Sequence, residues 1–205
     1  MPLQNRVTPF AQIAALPGRG LLTGNRGILH DDARRIVRPW QVRRWIACRL
    51  DVPGRRRQLM EPHTWTELFF LDEAAAFAAG HRPCAECRRA DYARFKALWS
   101  VCHGGPAGAD DIDAVLHRDR LLDRRTQRTY RAELADLPDG TYAVLDGAPW
   151  LVWRARLHAW SDAGYRHARA RPKRAVVDVL TPRSIVPLFA AGYVPGVHAT
   201  ADARS

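Results

Sequence analysis

Hydrophobic and polar positions change rhythm several times along the chain, and each rhythm predicts a different element. Over residues 45–50, apolar Ile46, Cys48 and Leu50 alternate with Ala47 and Arg49, the period-two pattern of a strand; this puts Cys48 on the side of the presumed core. A turn at Pro53-Gly54, a second strand near 56–60 and a third at 66–71 complete a predicted β-meander. The period then lengthens. Asp72 is a good N-cap, Glu73 suits a first turn, residues 74–79 are helix formers, and Gly80 suits the position just past the last turn. A second helix over 90–101 carries Tyr92, Phe95, Leu98 and Trp99 at helical spacing.

Residues 1–38 show no period and read as irregular, with turns at Pro17-Gly18 and Thr23-Gly24-Asn25. Residues 104–108 read as a linker, and 111–122 as a helix followed by a basic stretch through Arg124, Arg125, Arg128 and Arg131. Alternation returns at 141–145 and 148–153 around Asp146-Gly147, a strong hairpin signal, with Pro149 arguing for an edge strand. Another strand is predicted at 174–180, then a short helix with Thr181 as cap and Pro182 at its first position. The predicted fold is α+β with small antiparallel sheets and short helices, divided as an N-terminal region at 1–103, a linker at 104–110 and a basic α+β subdomain at 111–205.

At 205 residues the chain can bury a substantial core without staples, so size alone does not call for a metal. No apolar run approaches the roughly 20 residues of a membrane span, and the start lacks a secretory pattern, so a cytoplasmic protein with no membrane partner is expected. The net charge of +11 favours polyanions, and nucleic acid is the expected partner. The arginine- and alanine-heavy composition of a GC-rich genome would give the same balance, since Lys96 and Lys173 are the only lysines among 32 basic residues.

Of the four cysteines, Cys84 and Cys87 form a Cys-x-x-Cys turn, which can present two thiolates to one Zn²⁺. A redox pair needs the first cysteine to open a helix after a strand, whereas a helix is predicted just before this one; two plain core cysteines are the other alternative. The stretch 69–88, Phe-Phe-Leu-Asp-Glu-Ala-Ala-Ala-Phe-Ala-Ala-Gly-His-Arg-Pro-Cys-Ala-Glu-Cys-Arg, is similar to the knuckle half of the zinc-binding domain of Ada-type DNA methylphosphotriester repair proteins. The resemblance implies that Cys84 and Cys87 are zinc ligands. The family's upstream cysteine pair is absent, so its methyl-acceptor chemistry is not expected here. Cys48, on a neighbouring strand of a unit that resembles a zinc fold, is the expected third ligand. The candidates for the fourth are His30, His63, Cys102 and His103, with His30 preferred because an early loop can fold back onto the knuckle and Asp31 could support its imidazole.

The expected nucleic-acid contacts are Arg26, Arg82, Arg88 and Arg89, with Trp153, Arg154 and Arg156 from a stretch where tryptophans and arginines interleave; the competing reading makes those tryptophans core. His117-Arg118-Asp119 copies a kinase triplet without the rest of a kinase, and Asp110, Asp111 and Asp113 suit a helix start. The expected function is therefore a zinc protein that engages DNA or RNA, in repair or processing. The alternatives are a metal-dependent nuclease or phosphodiesterase with an open zinc position near His30, and a protein-interaction factor with a structural zinc.

Overall fold

A computed structural model describes residues 1–51 and 58–202. The turn expected at Pro53-Gly54 and the start of the strand expected at 56–60 lie outside the described residues, and Leu59 and Met60 form a turn. The fold is α+β, with two six-stranded sheets and four short helices.

The first sheet is built from β1 (Arg6–Val7), β2 (Ile13–Ala14), β3 (Leu22–Asn25), β4 (Ile46–Arg49), β5 (Leu68–Phe70) and β6 (Arg82–Pro83), in the order β2-β1-β5-β3-β4-β6. It is mixed rather than antiparallel throughout, because β1 runs parallel to β5 and β4 parallel to β6. The expected meander is corrected on one point: β4 and β5 are separated by β3, which comes from the segment read as irregular. Strands of two to four residues, one containing glycine, are too short to show a period.

The helices are α1 (Glu73–Ala78), α2 (Arg89–Cys102), α3 (Ala109–Arg120) and α4 (Val186–Ala190). Asp72 caps α1 as expected, its Oδ1 accepting the Ala75 N–H at 2.8 Å. Gly80 stops the helix at φ +80°, and a Cβ there would lie 2.5 Å from the Arg120 side chain. All six residues of α1 are buried, and the helix serves three surroundings at once. Ala76 and Ala79 pack with Val7, Ala47, Leu68 and Phe70 of the first sheet. Ala74, Ala75 and Ala78 pack with Tyr142, Leu151, Trp153 and Tyr165. Phe77 joins Phe95, Trp99, Ile112, Leu116, Phe189 and Tyr193 among the other three helices.

The second sheet is wholly antiparallel in the order β11-β10-β9-β8-β12-β7, from β7 (Tyr130–Glu133), β8 (Tyr142–Leu145), β9 (Ala148–Trp153), β10 (Arg156–Ser161), β11 (Gly164–Ala170) and β12 (Val176–Val179). The β8–β9 hairpin turns at Asp146 and Gly147, both at positive φ as a two-residue turn of this kind requires. Pro149 does not mark an edge. It pairs with Val144 and lies just past Ala159↔Trp150, the last pair with β10, so no ladder bond is lost. Thr181 does not cap a helix either: its Oγ1 accepts the Tyr142 N–H at 2.9 Å, and α4 starts five residues later.

The stretch expected to be a linker is short and partly exposed, and α3 starts at Ala109. Residues on either side of it share two cores, one around α1 and the second sheet, the other among the four helices.

Candidate metal centre

The site begins with a strand pairing. Because β4 and β6 run parallel with Ala47 opposite Pro83, the next residues along, Cys48 and Cys84, come side by side, and the Cys84 N–H donates to Ala47 O at 3.0 Å. The chain then turns tightly, with the Arg88 N–H donating to Cys84 O at 3.1 Å, and this brings Cys87 back beneath Cys84. The sulfurs of Cys48, Cys84 and Cys87 all lie within 4.8 Å of one another. Cys48 and Cys84 are 3 % and 6 % exposed, while Cys87 is half-buried at the rim.

Charge at this site is concentrated on Cys84. A hydrogen bond from the Cys48 thiol, and the N–H groups of Cys87 and Glu86 directed at its sulfur, pull the Cys84 thiol down to about 5 against the opposing effect of burial. Its partnership with Cys84, together with burial, pushes the Cys48 thiol up. Two backbone amides can stabilise one thiolate. A largely buried cluster could carry three of them only beside a cation, and three soft sulfur donors suit a thiophilic metal.

The knuckle is fixed from both ends by buried ion pairs. Arg82 meets Asp113 of α3 in a two-point contact at 2.8 and 2.7 Å. Arg88 donates to Glu73 of α1 at 2.6 Å and to Asp91 at 2.9 Å, and Glu73 also accepts from the Tyr193 hydroxyl and the Gly196 N–H.

His30 lies outside the cysteine group. Its Nδ1 shares a 2.6 Å hydrogen bond with Thr66 Oγ1 and its Nε2 lies 3.2 Å from Glu61 O, so both ring nitrogens have partners. Asp31 supports the loop instead, accepting the N–H groups of Ala33 and Arg35. His63 is exposed in a turn. Cys102 and His103 are at the far end of α2, whose 14 residues span about 20 Å, and His103 Nε2 bonds Ser184 O. The group contains three protein donors among the described residues, and residues 52–57 and 203–205 add no Cys, His, Asp or Glu.

The orientation of Cys48 differs from the sequence expectation. Ala47 faces the core, and Cys48 points to the opposite side of the sheet, where cross-strand pairing sets it in a row with Thr23, Phe69 and Arg6. Its burial comes from the knuckle. Thr23 and Arg6, beside Phe69 on the half-exposed face next to the cysteines, escaped the sequence reading, because β3 and β1 carry no periodic signal.

Of the residues expected to meet nucleic acid, four face inward. Arg82 and Arg88 hold the ion pairs just described, and Trp153, 9 % exposed, donates to Asp202 Oδ1. Arg26 donates to His81 Nε2 and Ala11 O and stacks on Trp45 at 3.9 Å, where Arg120 stacks at the same distance. Arg89, Arg154 and Arg156 are the three that are exposed, and Arg154 pairs with Asp202 at 3.0 Å.

No described helix is long and apolar enough to cross a membrane. No family model, no curated protein and no solved structure matches the chain.

Proposed function

We propose that Cys48, Cys84 and Cys87 hold one zinc ion and that the protein uses this centre while engaging nucleic acid, in repair or processing. The observation that carries the metal reading is the meeting of three sulfurs from two separate chain segments within 4.8 Å, two of them buried. Unpaired core cysteines have no reason to converge this way, nor to collect backbone N–H groups at one sulfur. The order of strand, capped helix, glycine stop and knuckle over 69–88 adds the Ada-like resemblance as a second support. For nucleic acid, the support is the net charge of +11.

Metal analysis of purified protein tests the first part. Wild type is expected to carry one zinc per chain and Cys84→Ser to lose it; a mutant that retains zinc unchanged would refute it. Binding of oligonucleotides across a salt series tests the second, and a flat salt dependence would refute that.

Three protein donors also favour a second reading, in which the fourth position is taken by water or substrate and the centre is catalytic. Metal-dependent cleavage of a phosphodiester substrate, lost in Cys87→Ser while the fold persists, is the expected sign. Cleavage absent from fully metallated wild type would count against it.

A further inference from the structure

We infer that a nucleic acid strand docks where residues 38–44 meet the loop 121–128. This rests on the nucleic-acid reading above and gives it an address.

The two segments are distant in sequence and are pinned into one surface. Trp40 Nε1 donates to Arg124 O at 3.0 Å, the Arg124 guanidinium sits 5.0 Å from the Trp40 ring, and His117 meets that ring edge-on at 4.6 Å. Beneath them, Arg120 donates to Arg43 O, and Arg128 Nε donates to Arg118 O and Leu121 O. Arg38, Arg44, Arg118, Arg124, Arg125 and Arg128 are all exposed on this surface.

None of these six forms an ion pair with a carboxylate among the described residues. The two acids within the loop and the end of α3 are turned to backbone instead. Asp119 accepts the Ser184 N–H at 2.9 Å, and Asp123 accepts those of Arg125 and Thr126 at 2.7 and 2.8 Å. Three arginines elsewhere are paired, Arg154 with Asp202, Arg169 with Asp146 and Arg94 with Asp91, while others such as Arg89, Arg156 and Arg166 are exposed without a carboxylate partner among the described residues, so what sets this surface apart is six such groups gathered around two pinned segments. Unpaired surface guanidinium groups left in one place are what a phosphate backbone exploits, since each phosphate they neutralise releases a counterion.

His117 reports the local field. Burial, then Arg120 and Arg43, pull its imidazole down to about 4, so it stays neutral among the arginines at physiological pH. A neutral imidazole and a half-buried indole set among guanidinium groups give flat surfaces on which bases can stack between phosphate contacts. Both rings are held by neighbours rather than projecting, which suits a strand laid across them better than insertion into a bilayer. Arg44 precedes Cys48 by four residues, about 13 Å along an extended strand. A strand of a few nucleotides can cover that distance.

The test uses full-length protein and labelled single-stranded and duplex oligonucleotides, titrated by anisotropy at several salt concentrations. The variant Arg38→Ala/Arg44→Ala/Arg118→Ala/Arg125→Ala removes four exposed cations whose side chains form no hydrogen bond or ion pair among the described residues, with circular dichroism and melting temperature checking the fold. It is expected to weaken binding at least tenfold at 0.1 M salt and to lower the slope of log affinity against log salt by about 3, at about 0.7–0.9 per phosphate contact. Arg156→Ala/Arg166→Ala on the second sheet is expected to stay within twofold of wild type. Wild-type binding with the fourfold variant undiminished overturns this surface while leaving the nucleic-acid reading intact. Wild type that binds no oligonucleotide at any salt overturns that reading and this inference together. If the fourfold variant loses anionic phosphatidylserine vesicles yet keeps oligonucleotides, the surface serves a membrane and the inference is overturned.

Discussion

His81 is the buried residue whose protonation ties the interior to the pH of the solution. It is fully enclosed, with its ring 4.5 Å from Phe70 and 5.2 Å from Trp45, and its Nε2 accepts from Arg26. Burial first, then the charges of Arg26 and Arg120, hold its imidazole well below the usual histidine range. Because the unfolded chain takes up that proton near pH 6.5, stability is complete above that value and falls as the pH drops below it. His117, pulled to about 4, adds the same sign between about 6.5 and 4. Melting temperatures are therefore expected to fall between pH 7 and pH 5, and His81→Gln, which keeps an acceptor for Arg26, to reduce that fall. An equal fall in the variant would assign the acid sensitivity elsewhere. Arg88 gives a second prediction at this scale. Removing it leaves Glu73 buried beside Tyr193 with no cation, so Arg88→Ala should cost about 3 kcal/mol in urea unfolding, within the roughly 3–5 kcal/mol range for breaking a buried pair. A loss near zero would mean that the pair does not hold the knuckle. Sequence alone marks Arg82 and Arg88 as basic residues flanking a metal turn, which is equally consistent with a phosphate contact. Only the positions of Asp113 and Glu73, 31 and 15 residues away, show that both arginines serve the interior.

At the scale of elements, α1 shows what pattern can and cannot reveal. Its cap, its length and its glycine stop are all legible in 72–80, because they depend on neighbours in sequence. Its run of alanines reads as helix propensity, whereas the packing gives another cause: two sheets and three helices approach one short helix, and larger side chains would keep them apart. Ala75→Leu is therefore expected to destabilise the protein by about 1–3 kcal/mol through overpacking, measured by chemical denaturation. A neutral or stabilising outcome would show room that the structure denies. The β8–β9 hairpin was equally legible, since Asp146-Gly147 specifies its turn locally. The strands β1, β2 and β3 were not, because each is defined by its partners: Leu22-Thr23-Gly24-Asn25 becomes a strand only between β4 and β5. That same pairing reverses the expected direction of Cys48. A period-two pattern fixes which residues share a face but not which face meets the core.

Across the whole molecule, the two sheets and the helices share cores on either side of α1, and the sulfur cluster sits on the outer side of the first sheet. Folding thus brings Cys48 to Cys84 and Cys87 across a gap of more than thirty residues, which explains how the chain alone points to a half-site in Cys-x-x-Cys and leaves its completion open. His30, the expected fourth donor, has Thr66 and Glu61 as partners of its ring nitrogens instead. The central claim is that three cysteines, one from β4 and two from the knuckle, bind one metal ion together. Its most direct test is replacement of the bound ion by cobalt(II) in wild type and in Cys48→Ser, reading the sulfur-to-cobalt charge-transfer absorption per ion. One ion per chain in wild type, with that absorption reduced by about a third and affinity weakened in Cys48→Ser, is the expected result. The same spectrum and affinity in both proteins would show that Cys48 is no ligand and contradict the account.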